Sequence, residues 1–201
     1  IMPFTDYCVS VHLNDVESAI LDMARPYLQV RDNERHTMNA LEFVLALLES
    51  YHAERTIVIP AMILHDVGWS AVTQDIISRA CRPNPDKKLV RIHEMESVSI
   101  ARKILEDVRY VPVYGAQILE IIDGHDTRDV AHSTNDMIVK DSDKLTRFAK
   151  NFWFWTRTLP MTPRELADTL EGLIDDWLFL DASKEMAKIE LSKRRMAEHE
   201  P

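Results

Sequence analysis

Apolar residues recur along this chain at spacings of three and four, the helical period, and almost nowhere in strict alternation. Residues 14–30 read as a first helix, with Asn14 as its N-cap and Val16, Ile20 and Met23 on one side. Residues 32–51 read as a second. There His36, Ala40, Phe43, Val44, Leu47 and Leu48 share a stripe, which puts the histidine on the buried face. From 56 to 67 the chain is apolar almost all round, the pattern of a central helix covered on every side. Pro60 must then sit in its first turn or kink it, and Gly68 is placed to end it. A short helix near 70–79 and a loop at 81–86, marked by Pro83, Asn84 and Pro85, come next. A long amphipathic helix at 87–109 follows, with Leu89, His93, Ile100 and Ile104 on one stripe. Pro112 opens a helix at about 112–123 that Gly124 stops, and the polar stretch 126–135 reads as a loop. Residues 136–157 read as a helix ending in an aromatic cluster at 152–155. Thr162-Pro163-Arg164-Glu165 joins an N-cap, a first-turn proline and a capping-box glutamate, announcing a helix at about 163–179. Residues 182–199 form a charged last helix. The pattern predicts an all-α fold in a single domain over 1–201, its core at about 30–150 with C-terminal helices at 160–199 packed on it.

Composition narrows this picture in two respects. Only 4 glycines in 201 residues argue further for helices, and a chain of this length can bury a sizeable core. The formal net charge of -9 argues against a nucleic acid polymer or an anionic lipid surface as partner. It does not argue against a small anionic substrate, because a bound metal inverts the local field. Cys8 and Cys81 have no metal or redox spacing and read as reduced thiols. Residues 1–6 lack the basic-then-apolar pattern of a signal peptide, and no run nears the roughly 18 apolar residues of a membrane span. A cytoplasmic protein without membrane attachment is therefore expected.

The candidate chemistry lies in histidines and aspartates carried on successive helices: His36, the adjacent pair His65-Asp66, His93, His125 and Asp143. A carboxylate at Asp66, at the end of the most hydrophobic segment, is costly unless paired or bound to a metal. Adjacent helical residues point about 100° apart, so both members of the pair reach one ion only if it lies off the helix axis between them. Asp66 could also use both oxygens and touch two ions. Each residue alone has a plainer reading. His65-Asp66 suits a helix C-terminus, His36 a hydrogen-bonded core position, and Asp143 an acidic first turn.

Taken together and in order, His36…His65-Asp66…Asp143 resembles the H…HD…D signature of the HD-domain superfamily of metal-dependent phosphohydrolases. The apolar run from Ala61 to Leu64 ahead of His65-Asp66-Val67-Gly68 is similar to that family's, as is the late helix at 138–145. The resemblance covers about 30–150. It implies an HD-type helical bundle and a divalent metal held by His36, His65, Asp66 and Asp143, with Asp141 the alternative to Asp143. In two-metal members of the family, histidines placed like His93 and His125 hold a second ion with Asp66 as the bridge. The other reading makes them pocket histidines around a single ion. Such mixed imidazole and carboxylate ligands take Fe, Mn, Ni, Co or Zn without distinguishing among them. The implied reaction is hydrolysis of a small phosphomonoester or phosphodiester, possibly a nucleotide, by a metal-bound hydroxide, with Asp66 at its catalytic centre. Arg128, Lys144 and Arg147 are the candidate substrate contacts, with solvated surface charge as the plainer reading of each.

Departures from the family pattern limit what carries over. Trp69 stands where many two-metal members have lysine, and Asp126 where many have a second histidine; Asp126 could act as an oxygen ligand instead. No Gly-Tyr-Pro segment of cyclic-di-GMP phosphodiesterases is present. Nor is there an acidic residue three positions after Asp66, as in 5′-deoxynucleotidases and (p)ppGpp hydrolases. None of those activities is carried over. The alternative is a di-iron oxygenase of a small polyol or phosphonate-like substrate, because a minority of HD proteins use four histidines and two aspartates for that chemistry. A non-catalytic helical scaffold is the third reading. The aromatic cluster at 152–155 reads as core packing against the last helices, with a homodimer surface or pocket lid as alternatives.

Overall fold

A computed structural model describes residues 11–81, 85–149 and 161–197. Among them every regular element is helical and no strand occurs, so the fold is all-α. Helix α1 (Asp15–Ala24) opens on a capping box. The Asn14 side chain accepts the Glu17 N–H at 2.9 Å, and the Glu17 carboxylate accepts the Asn14 N–H at 3.0 Å. The helix ends earlier than its periodicity predicts. Pro26 has no N–H to give, and the chain tightens into a 3-10 turn at Arg25–Tyr27. Val16, expected on the buried side, is 48% exposed, while Ile20 and Leu21 carry the packing.

Helix α2 (Asn33–Ser50) buries Ala40, Leu41, Val44 and Leu47 along one face. Helix α3 (Arg55–Leu64) is the centre of the bundle. Its residues 57–64 are buried all round, and it packs against α1, α2, α6 (Pro112–Ile122) and α7 (Thr134–Phe148). Pro60 lies in the helix interior rather than its first turn. Lacking an N–H, it leaves the Thr56 carbonyl without its helical donor, and the Tyr110 hydroxyl donates to that oxygen at 2.5 Å. The buried Glu17 accepts two bonds from Arg55 and so ties α1 to the start of α3.

Gly68 does not terminate α3. The helix stops at Leu64, and Gly68 lies inside a following 3-10 turn (Val67–Ala71). Its role is close approach. A Cβ built there would lie 2.1 Å from the His93 carbonyl oxygen and 2.3 Å from the Ser97 nitrogen on α5 (Lys87–Asp107), and the Gly68 N–H donates to Ser97 Oγ at 2.8 Å. The turn and α5 are thus packed backbone to backbone. Between them, α4 (Gln74–Ala80) helps build a small second core of Trp69, Val72, Ile77, Ala80 and Val90.

Helix α7 runs to Phe148, so Asp143 sits in its third turn rather than at a helix start. The aromatic cluster at 152–155 and residues 82–84 of the predicted loop lie outside the described residues, as does Cys8. The predicted helix at 163–179 is two helices, α8 (Pro163–Glu171) and α9 (Ile174–Trp177), separated at Gly172. The capping box at Thr162 and Glu165 forms as expected. The last helix, α10 (Asp181–Ala197), packs against α7, α8 and α2. No described helix is long and apolar enough to cross a membrane.

Candidate metal centre

The end of α3 delivers His65 and Asp66 into the middle of the molecule, both buried. His65 caps the helix in helical conformation, but Asp66 leaves it at φ -109°, ψ 6°. That break turns its carboxylate toward α2, α5 and the loop that follows α6. Its Oδ2 lies 3.6 Å from His36 Nε2 and 3.6 Å from His65 Nε2. Its Oδ1 lies 3.3 Å from His93 Nε2 and 3.6 Å from His125 Nε2. Two nests therefore share one carboxylate. Asp143 completes the first, with Oδ1 3.2 Å from His36 Nε2 and 3.8 Å from His65 Nε2. Asp126 joins the second, its Oδ2 3.9 Å from His93 and 4.0 Å from His125.

The histidines are oriented as metal ligands require. The Nδ1–H of His65, His93 and His125 each donates to the carbonyl three residues back, at 2.7, 2.5 and 3.0 Å. A carbonyl only accepts, so Nδ1 carries a proton, and it is Nε2, the atom that would bind a metal, that points into the nest. Within the nests, His36 and His65 Nε2 are 3.2 Å apart, and His93 and His125 Nε2 are 3.3 Å apart. Donors bound about 2.0–2.2 Å from one ion lie about 3–3.5 Å from each other. The donor set and its spacing fit divalent metal, and His36, His65 and Asp143, then His65, Asp66 and His125, then His93, His125 and Asp126, form the compact groups.

The electrostatics favour the neutral ligand form at two of these histidines and oppose it at His125. Burial holds the His36 and His93 imidazoles below their ordinary pKa, in the neutral ligand form. Burial acts the same way on His125, but the Asp66, Asp126 and Glu94 carboxylates overcome it and raise that ring to about 9. Burial opposes ionisation of Asp66, yet the surrounding histidines hold its carboxyl well below the usual range. Asp143 is likewise held down against burial, chiefly by Arg147 and Lys144. Arg147 Nη1 donates to Asp143 Oδ2 at 2.9 Å, and Lys144 Nζ is 3.3 Å from the same oxygen and bonded to Asp126 Oδ1. Both cations line a cavity of about 370 Å³ that reaches Asp66, His36 and His125. Trp177 lines it too, its ring centroid 6.0 Å from Lys144 Nζ and 5.9 Å from the Arg147 guanidinium carbon.

Arg128, the third expected substrate contact, lines the same cavity and is held by bonds of its own. Its guanidinium donates to buried Asp136 at 2.6 Å, to the Asp123 carbonyl at 2.8 Å and to the Val130 carbonyl at 3.1 Å. These bonds fold the 124–133 loop onto the start of α7. Gly124 allows the turn, with φ at +99°.

Two residues not singled out from the sequence, Glu94 and Lys140, hold this loop, and Trp69, noted there only for standing where lysine is common, holds its neighbour. Glu94, fully buried on α5, accepts from Arg91, the Asp126 and Thr127 N–H groups and the Thr127 hydroxyl. Lys140, buried on α7, donates to the Gly124, His125 and Arg128 carbonyls at 2.8, 3.0 and 2.9 Å. Burial lowers its pKa to about 8. Trp69 stacks on His93 at 4.0 Å and donates from Nε1 to Asp66 Oδ1 at 3.0 Å. For Glu94 and Lys140 a signal was present, a charged residue on an otherwise buried helical stripe. Lys140→Met would leave the His125 and Arg128 carbonyls without this donor, while the Gly124 carbonyl keeps the Arg128 N–H, so it should destabilise the fold by roughly 2 kcal/mol or more in urea denaturation.

Asp141 points away from the nests. Its Oδ1 and Oδ2 accept the Phe179 and Leu180 N–H groups, both at 2.9 Å, just ahead of α10. Burial pushes its carboxyl up to about 6 against the pull of those donors. Metal content of two variants tests the division of labour. Asp141→Asn should keep its metal while losing about 1–3 kcal/mol of stability, because an amide NH2 would face a backbone N–H. Asp143→Asn should lose metal from the first nest.

A helical bundle whose central helix ends in an adjacent His-Asp pair, set between two histidine and carboxylate nests, defines an all-α metal-binding domain. The chain belongs to the HD-domain family, whose match runs over residues 33–147, more than half of its length and spanning α2 to α7. Neither the comparison with curated proteins nor that with solved structures returned a match.

Proposed function

We propose that this protein is a metal-dependent hydrolase of a small phosphomonoester or phosphodiester. The observation that carries the reading is the placement of Asp66, whose two oxygens each face a separate nest of histidines completed by a second carboxylate. His36, His65, Asp66 and Asp143 would hold one divalent ion. His93, His125 and Asp126, with Asp66 shared, would hold the other. Bound there, such ions acidify a water molecule and neutralise charge developing on a phosphoryl group. The chain's own residues do the rest. The backbone-anchored imidazoles present fixed lone pairs, so little reorganisation accompanies binding. Asp66 couples the two nests, and the indole N–H of Trp69 sets its rotation. Lys144 and Arg147 stand beside Asp143 and Asp126 on the cavity wall, where an anionic group would meet them. The cavity of about 370 Å³ suits a small molecule.

The second reading, a di-iron oxygenase, draws on the same four histidines and the aspartates Asp66 and Asp143, which do converge. One experiment separates the two: metal identity and stoichiometry in protein purified without chelator or histidine tag, followed by a phosphoester panel and oxygen-uptake assays. About two equivalents of manganese, nickel, cobalt or zinc with phosphate release supports the hydrolase. Iron with substrate-dependent oxygen uptake supports the oxygenase. Protein that takes up no metal on soaking overturns both.

A further inference from the structure

The loop ahead of α2 brings a further cation to the nests. Arg31 and Asp32 both have left-handed backbones, at φ 57° and 62°, uncommon for residues with a Cβ and persistent only where the surroundings impose it. The Arg31 guanidinium carbon lies 4.3 Å from the Trp69 ring centroid, and its Nη1 is 3.6 Å from Asp66 Oδ2. The same indole lies parallel to the His93 ring, 10° off, and donates to Asp66 Oδ1. One aromatic residue thus touches a nest histidine, the shared carboxylate and an arginine. Arg31 lines the cavity and is 17% exposed at its side chain. It also precedes the segment that matches the family.

Charge decides what such a residue is for. When divalent ions occupy the nests, they offset the charge of Asp66, and a guanidinium 3.6 Å from it then adds to a positive field that attracts an anion. The indole face holds the guanidinium in place through a cation–π contact. A planar guanidinium also matches two oxygens of a phosphoryl group.

We propose that Arg31 binds a phosphoryl oxygen of the substrate and that Trp69 is the positioning residue that holds Arg31 over the nests. This rests on the phosphoester reading above. The test is calorimetric titration of inorganic orthophosphate into manganese-saturated full-length protein, with bound metal measured in parallel. Arg31→Ala should bind orthophosphate roughly tenfold more weakly or worse while holding as much metal as the wild type. Arg31→Lys should fall between them, since an ammonium neither lies flat on the indole nor forms a fork. Trp69→Phe and Trp69→Leu both lose the indole N–H bond to Asp66, so they are compared at equal bound metal; there Trp69→Phe, which keeps an aromatic face, should bind orthophosphate more tightly than Trp69→Leu, which should be as weak as Arg31→Ala. Unchanged phosphate affinity in a metal-loaded Arg31→Ala overturns the Arg31 assignment. Unchanged affinity in Trp69→Leu, or equal weakening in Trp69→Phe and Trp69→Leu, overturns the role given to the indole face. Wild-type protein that holds manganese but binds no orthophosphate overturns the phosphoester reading, and the Arg31 assignment falls with it.

Discussion

Asp66→Ala should empty both nests at once, taking bound metal from about two equivalents to none and lowering turnover by about three orders of magnitude or more. Other substitutions in the cluster should be local. His36→Ala should empty only the first nest and His93→Ala only the second. The difference follows from geometry. Asp66 Oδ2 stands 3.6 Å from His36 and from His65, and Oδ1 stands 3.3 Å from His93 and 3.6 Å from His125. Helical content should survive, because the Asp66 backbone carbonyl keeps its bonds from Trp69 N and Asn33 Nδ2. In metal-free protein the change also removes one of three carboxylates clustered around four imidazoles. Metal analysis with circular dichroism on the three variants checks this. An Asp66→Ala protein that retains a full complement of metal would refute the shared-ligand arrangement.

The second large effect is steric. Gly68→Ala places a Cβ 2.1 Å from the His93 carbonyl oxygen, 2.3 Å from the Ser97 nitrogen and 2.7 Å from Ser97 Oγ, where ordinary contact is about 3.5 Å or more. Two of those atoms are backbone and cannot rotate aside, so α5 must move bodily, and His93 moves with it. We expect a loss of about 3 kcal/mol or more, roughly a 10 °C fall in Tm, with metal in the second nest weakened most. If Gly68 were only a helix terminator, alanine would cost about 1 kcal/mol. Thermal melts of metal-free protein distinguish the two, and a drop of only a few degrees would show that the approach of α5 is not what requires glycine.

Periodicity located the helices well where a long stripe had to face the core, as in α2, α3 and α5, because burial of a continuous apolar face outweighs local detail. It did less well at ends governed by single backbone groups. Pro26 cut the first helix short, and the predicted helix at 163–179 divided at Gly172, yet neither event changes the apolar period. Val16 follows the helical stripe but lies in the first turn of α1, where it is 48% exposed among the described residues. Of the site, the ordered set His36, His65-Asp66, His93, His125 and Asp143 was legible because ionisable residues on apolar stripes are costly without a partner. Arg128 was legible as a cation near His125, but nothing in its position along the chain showed that Asp136 would engage it.

By itself, then, the sequence determined an all-helical chain, a central apolar helix ending in His-Asp, and a set of imidazoles and carboxylates of metal-ligating type, since these follow from residue identity and a fixed helical period. Tertiary structure alone decided that Asp66 faces two nests, that Asp143 rather than Asp141 joins them, that Asp126 completes the second, and that Arg31 reaches the cavity over Trp69. Those outcomes depend on the rotation of one helix about its axis and on distances between segments remote along the chain. The break in the backbone at Asp66 and the contact of α5 with Gly68 set those distances, and no local pattern of residues encodes them.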